Sequence, residues 1–282
     1  MSGISINKRF GFNSFNVIPP APFVCGDADA TAFILNAGIT NTIEKQAICQ
    51  LVEDLKFYSL WTKLKVIYPM VGSSSSSCSY NLKDTTQFQL AFNGGWSFSS
   101  LGATPNGINA YADTNLIPAA TLPFSIANIS MSYYSRTQSS SAYRTDAGCN
   151  DNGASAVILR LPCDALNDIY GTDFASTFNL GTSPSGAVNS LAFSTYNKTK
   201  SGILTIYHNG LNTNNAVVTA PIRLPKLKVF IGATNNGAIL GAGQFGNKQC
   251  AWFSMGDTFT SIQNLDLYKT VQNFQTTLLR QV

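Results

Sequence analysis

The sequence predicts a mainly β protein: an antiparallel β-sandwich with an N-terminal helical pair and a C-terminal helix. Two observations carry that prediction. Short apolar runs with period-two alternation recur from Met70 onward, and Asn-Gly dipeptides punctuate them at 93–94, 106–107, 152–153, 209–210 and 236–237. Asn-Gly suits a type I′ hairpin turn because both residues tolerate positive φ. Apolar stripes at helical spacing are instead confined to the region before Met70 and to the C-terminal stretch 260–282.

Taken in order, residues 1–26 read as an extended attachment arm. Pro19, Pro20 and Pro22 forbid a helix there. Such an arm docks on a neighbouring subunit or stays disordered. Residues 27–69 are assigned to the helical pair. Asp27 or Asp29 caps a short helix through Phe33, Ile34 and Leu35, and Gly38 closes it as a left-handed residue. Asn41 and Glu44 have capping-box spacing, followed by one stripe of Ile43, Ala47, Ile48, Leu51, Val52 and Leu55. Glu44, Lys45, Glu53, Asp54 and Lys56 fall mostly off the stripe and form a solvated face.

Residues 70–282 are assigned to the sandwich domain. Ser73–Ser77 reads as a flexible loop. Ile129, Met131 and Tyr133 alternate with Ser130 and Ser132, and 157–161, 191–196, 203–207, 227–231 and 250–255 are further strands. Thr260 or Ser261 caps the last helix, with Ile262, Leu265, Tyr268, Val271 and Leu278 turned inward.

Composition narrows the function. Charged residues are 11% of the 282, and polarity comes from Ser, Thr, Asn, Gln and Gly. An average soluble protein carries roughly 25% charge. The net charge of +4 is spread out, and the densest basic run, Arg223, Lys226 and Lys228, is broken by Pro225, so no nucleic-acid partner is expected. No stretch reaches the ~20 apolar residues of a membrane span. Met1–Phe15 lacks the apolar core of a secretory signal, which predicts cytoplasmic synthesis. Cys25, Cys49, Cys78, Cys149, Cys163 and Cys250 show neither a C-x-x-C pair nor zinc spacing, and are expected to be buried free thiols rather than a disulfide framework.

Catalytic equipment is sparse. Glu44 and Glu53 are the only glutamates, both in the helical pair, and His208 is the only histidine. No catalytic residue is assigned, and the chain is not expected to be an enzyme. Glycoside hydrolysis normally needs two carboxylates across the scissile bond. The sandwich offers only aspartates, and Asp164 and Asp168 sit in a loop context after Pro162. His208, just before Asn209-Gly210, reads as a solvent-facing turn residue. Gly241-Ala-Gly-Gln-Phe-Gly246 matches the dinucleotide fingerprint in letters, but a strand follows it instead of a helix, so no nucleotide cofactor is expected. Asp113, Asp146 and Asp151, with Asn109 and Asn150, are candidate calcium ligands, although turn-forming roles explain them equally. Sugar sites pair an aromatic face with amide and hydroxyl hydrogen bonds. Trp96, Tyr111, Tyr134 and Tyr143 are the leading glycan-binding candidates, with Tyr133, Tyr170 and Tyr196 behind them.

Several segments resemble a group of bacteriophage virion proteins found in phages of Bacteroidetes-type hosts, including crAss-like phages. They include Asp27-Ala-Asp-Ala-Thr-Ala-Phe33, Trp61-Thr-Lys-Leu-Lys65, Ile67-Tyr-Pro-Met-Val-Gly72, Phe92-Asn-Gly-Gly-Trp96 and Lys248-Gln-Cys-Ala-Trp-Phe-Ser-Met-Gly-Asp257. The likeness covers most of the chain after residue 26 and is faint between 138 and 202. It implies a concanavalin A-like, laminin-G-type jelly roll, and Gly202-Ile-Leu-Thr-Ile-Tyr-His-Asn-Gly210 looks like a laminin-G strand and turn. It further implies a fibre, spike or head-decoration subunit on the virion exterior, attached to other virion proteins through the arm and homo-oligomeric. Host or environmental glycans are the expected ligands. The alternatives are a purely structural virion protein and a glycan hydrolase.

Overall fold

The computed structural model describes residues 23–121, 124, 128–138, 144–151, 155–161, 169–172, 180–182, 190–198, 203–217 and 223–282. The helical pair is α1 (Ala28–Asn36) and α2 (Thr42–Phe57). It leads into β1 (Leu64–Tyr68), the short α3 (Ser75–Ser79), β2 (Ala91–Asn93), β3 (Trp96–Ser99), β4 (Gly102–Pro105) and β5 (Tyr111–Asp113). The middle of the chain forms β6 (Ile129–Ser135), β7 (Ala147–Asn150), β8 (Ala156–Arg160), β9 (Ile169–Thr172) and β10 (Leu180–Thr182). Then come β11 (Ala192–Lys198), β12 (Ile203–His208), β13 (Leu211–Val217), β14 (Phe230–Ile231) and β15 (Thr234–Asn235). The one-turn α4 (Gly237–Leu240), β16 (Ala242–Gly243), β17 (Cys250–Gly256) and α5 (Ser261–Thr277) close the chain.

Two sheets form the expected sandwich. The first runs β13-β12-β11-β6-β17-β4-β3, and β1 pairs with the second half of β17. The second runs β10-β9-β8-β7-β14-β5-β2, with β15 joining β7 in parallel. Tyr68, Met131, Tyr133, Tyr196, Val157, Leu159, Ile231 and Phe253 fill the space between the sheets. The helices cover the outer face of the first sheet, where Ile67, Tyr134, Phe193 and Trp252 meet Phe33, Ile48, Leu51, Leu267, Val271 and Phe274. The molecule is therefore three layers deep: helices, first sheet, second sheet.

That third layer changes the meaning of the serine alternation in β6. Every residue from Ile129 to Ser135 is buried. Ser130 and Ser132 do not face water; they lie under the helices, where Ser132 Oγ shares a 2.7 Å hydrogen bond with Ser254 Oγ and accepts one from Trp252 Nε1 at 2.9 Å. Small hydroxyls satisfied across strands leave room for the overlying helices.

Local chemistry explains the helix ends. Asp27 is the cap of α1, its carboxylate accepting the amides of Asp29 and Ala30, and Gly38 follows at φ 65°. Asn41 Oδ1 accepts the amides of Ile43 and Glu44. Glu44 does not close a capping box; it accepts the amide of Gly72 instead. Ile43 lies off the buried stripe, half exposed. The serine run is a helix, not a flexible loop, because Ser74 and Ser77 form a reciprocal capping box. Thr260 and Gln263 do the same for α5.

The inward face of α5 matches expectation at Val271, Tyr268 and Leu278 and departs from it at Ile262. Leu267, Val271 and Phe274 are buried with Asn264, Thr270 and Gln275, whereas Ile262 is largely exposed. Two of these polar residues are bonded: Gln275 Nε2 donates to the Ala251 carbonyl, and Asn264 Nδ2 to that of Thr260, while Thr270 Oγ1 and Asn264 Oδ1 are buried without a hydrogen-bond partner. Beyond the helix, the fully buried Arg280 donates to the carbonyls of Pro69, Met70 and Ala251 and to Gln275 Oε1. It pins the C-terminus to the segment that follows β1 and to β17.

The cysteines also depart from expectation. Cys25 and Cys49 form a disulfide with Cα atoms 5.8 Å apart, joining the chain before α1 to α2. Their separation of 24 residues carries no motif, so only the packing of α1 on α2 brings them together. Cys78, Cys149 and Cys250 are buried free thiols, and Cys163 lies outside the described residues, as do residues 1–22 of the arm and the 152–153 turn.

Candidate functional site

Among the described residues, no helical layer covers the outer face of the second sheet. In β5, Ala112 points into the inter-sheet core, as does Ile231 in β14. Alternation then sends Tyr111, Asp113 and Phe230 to the opposite face. Phe230 pairs with Asp113 across the two strands. The Tyr111 and Phe230 rings stack with centroids 4.5 Å apart and planes at 24°. Phe230 is buried beneath, and Tyr111 is partly exposed.

This stack forms the wall of a cleft of about 330 Å³, bordered by Lys226, Lys228, Asn235 and the turn through Gly237 and Gly241. Each border is fixed by hydrogen bonds. Lys228 Nζ donates to Asp113 Oδ2 at 2.9 Å and to Asn115 Oδ1 at 2.8 Å. The Asn235 side chain spans the rim, donating to the Lys228 carbonyl and accepting the Gly237 amide. Asn236 and Gly241 close the turn with a 2.9 Å backbone bond. Gly237 and Gly241 adopt φ of 81° and 66°, which a side chain would strain. The glycine-rich 241–246 run thus shapes a turn rather than a helix entry, as its context predicts.

A second cleft of about 410 Å³ lies between β12, β13 and the start of α5, bordered by Asn197, Thr205, Asn212, Asn215 and Ser261. Its rings cannot stack on a ligand face: Tyr207 and Phe259 are buried, and Tyr207 Oη is bonded to Ser261 Oγ at 3.0 Å. Neither cleft is lined by an aspartate or glutamate.

No protein-family model and no curated protein matches the chain. Solved structures do match by shape. Domain 4 of AbnA, an extracellular GH43 arabinanase of Geobacillus stearothermophilus solved with arabinotriose, aligns with a TM-score of 0.52 at 12% identity, covering 73% of this chain and 98% of that one. A botulinum neurotoxin type C structure, from work on cell entry through two ganglioside molecules, gives 0.53 at 10% identity, over 77% of this chain and 53% of the other. The binding domain of botulinum neurotoxin DC, complexed with rat synaptotagmin II, gives 0.52 at 11%, over 75% and 52%. The chain spans about half the length of those neurotoxin chains. The fold is a two-sheet, jelly-roll-like β-sandwich of the kind these domains share. At these identities the likeness is one of fold alone.

On this jelly roll the expected glycan residues part company. Tyr111 lines the first cleft. Tyr134 is not a surface platform: it is buried under α5, where its hydroxyl donates to Gln272 Oε1 and accepts the Val282 amide. Trp96 is partly buried against Phe92 and Phe98, with Nε1 bonded to the Asn93 carbonyl. Tyr133 and Tyr196 belong to the inter-sheet core, while Tyr143 and the Tyr170 side chain lie outside the described residues. Phe230 escaped the sequence reading because nothing local marks it. Its partner sits on a strand distant in sequence, and only sheet register joins them.

The candidate calcium carboxylates are each engaged by a cation instead. Asp113 holds Lys228, Asp146 holds Lys248 and Asp151 holds Arg223. Among the described residues, no three His, Cys, Asp or Glu side chains converge on a metal-sized site. The Arg223 guanidinium keeps the Asp151 carboxyl below the usual range. Burial pushes Asp146 above it, against the pull of Lys248.

His208 is partly buried rather than solvent-facing, because the turn at Asn209 and Gly210 folds back on α5. A Cβ on Gly210 would meet the Tyr268 side chain at 2.9 Å. The imidazole Nδ1 lies 3.2 Å from Ser194 Oγ. Burial pushes its pKa down to about 4, with no carboxylate contributing. Among the described residues, no carboxylate is hydrogen-bonded to this imidazole. Among the described residues no helix is long and apolar enough to cross a membrane.

Proposed function

We propose that this chain binds glycans through the Tyr111–Phe230 cleft without cleaving them, as a subunit displayed on the exterior of a bacteriophage virion. The carrying observation is the stacked aromatic pair on the outer face of the second sheet. A partly exposed ring offers the apolar face of a sugar a flat partner, and the Asn235 amide and the Lys228 ammonium supply hydrogen bonds at the edge. The arabinotriose-bound and ganglioside-dependent proteins of similar fold support the same ligand class. The absence of a carboxylate from the lining of both clefts supports binding over hydrolysis.

Display on a virion rests on the sequence resemblance. A shallow site binds weakly alone, and repetition on a particle multiplies it. Residues 1–26 are the attachment segment to other virion proteins in this reading, in a homo-oligomeric fibre, spike or head decoration assembled after cytoplasmic synthesis. The disulfide supports the mechanical part, since Cys25 transmits a pull on the arm directly to α2.

A glycan array probed with the protein in multivalent form tests the binding claim, with arabinan and ganglioside oligosaccharides among the spots. Reproducible signal on a coherent glycan set is expected. A blank array leaves a purely structural subunit as the reading. Cryo-EM of the particle tests display: the chain outermost with the second sheet facing solvent is expected, and a chain enclosed between other subunits overturns it.

A further inference from the structure

The charges around the cleft do not cancel. Three cations, Arg223, Lys226 and Lys228, stand with two carboxylates, Asp113 and Asp151. Lys228 is committed to Asp113 and Asn115. Arg223 is committed to Asp151, whose Oδ2 also accepts the backbone amide of Lys226. The Lys226 side chain is exposed and forms no ion pair among the described residues, yet it borders the same cleft as the aromatic stack. Both carboxylates near it are occupied, and no acid lines the cleft. Among the described residues, the surplus is one positive charge at the rim.

We propose that the cleft prefers an acidic sugar, whose anionic substituent meets the Lys226 ammonium while its ring lies on Tyr111. This deepens the glycan-binding reading and rests on it. A lysine is a flexible point charge, so it attracts a carboxylate or a sulfate by charge rather than by shape. It sits beside a low-dielectric aromatic wall, where a charge-assisted hydrogen bond is stronger than in open water. The neutral second cleft, lined by asparagines, threonine and serine, offers no such discrimination.

The test is calorimetric titration of the whole chain with matched oligosaccharides that are neutral, carboxylated or sulfated. Tighter binding of either acidic ligand, by about fivefold over the neutral one, is expected for one exposed cation. The advantage shrinks as salt is raised, because the interaction is solvent-screened. Which acidic arm wins identifies the source of the charge. Lys226→Gln removes the preference and leaves the neutral ligand's affinity unchanged; the residue is exposed, so the variant folds. Equal binding of neutral and acidic ligands overturns this inference and leaves glycan binding standing, as does an acid preference that survives Lys226→Gln. No binding of any oligosaccharide overturns both.

Discussion

Tyr133 and Tyr134 are neighbours in β6 that serve opposite sides of one sheet. Tyr133 fills the inter-sheet core and donates to the Lys248 carbonyl at 3.0 Å. Tyr134 lies beneath α5, bonded to Gln272 and Val282. A strand buried on both faces turns adjacent aromatics into two separate packing elements. Tyr134→Phe keeps the ring and loses the hydroxyl bonds, which costs about 1 kcal/mol of stability. Glycan binding is unchanged. Urea unfolding alongside ligand titration checks both parts.

The disulfide between Cys25 and Cys49 closes a loop of modest length. Replacing both cysteines by serine lowers stability by about 3 kcal/mol through the freed unfolded chain. Peptide mapping under non-reducing conditions recovers the Cys25–Cys49 cross-link from the native protein. Recovery of free thiols at both positions after oxidative preparation contradicts the pairing.

Asp146 and Lys248 form a fully buried ion pair. Lys248→Met strands the carboxylate and costs about 3–5 kcal/mol. The double variant Asp146→Leu/Lys248→Met recovers part of that loss, since neither charge is then left alone. Thermal or urea unfolding of the three proteins reads the difference.

His208 has a folded pKa of about 4, against 6.5 for the free side chain. The unfolded chain therefore binds more protons between those values, and stability falls as pH drops through 6.5 toward 4. The loss attributable to this residue is about 2 kcal/mol, less than the full shift because the ring is partly exposed. His208→Gln keeps a partner for Ser194 and flattens that part of the profile. Urea midpoints measured across the pH range for both proteins decide it.

What was legible in the sequence was local. The caps at Asp27, Asn41 and Thr260 and the hairpin at Asn209-Gly210 follow from chemistry within a few residues. The α5 face was legible only in part: Val271, Tyr268 and Leu278 turn inward as read, but Leu267 and Phe274 displace Ile262 at helical spacing, and only the docking surface selects between them. The alternation of Ser130 and Ser132 with Ile129, Met131 and Tyr133 marked a strand but not its burial on both faces, because a sequence does not announce a layer packed over it. Half of the cleft was visible in Tyr111. The rest, Phe230 and Lys226, depends on long-range register and on which charges are already spent.

The most direct measurement is calorimetric titration of wild type and Tyr111→Ala with the strongest array ligand. Loss of the ring is predicted to weaken binding about tenfold or more, through the removed aromatic contact, with the fold intact by circular dichroism. Unchanged affinity in a folded Tyr111→Ala protein would place the sugar elsewhere and contradict the account.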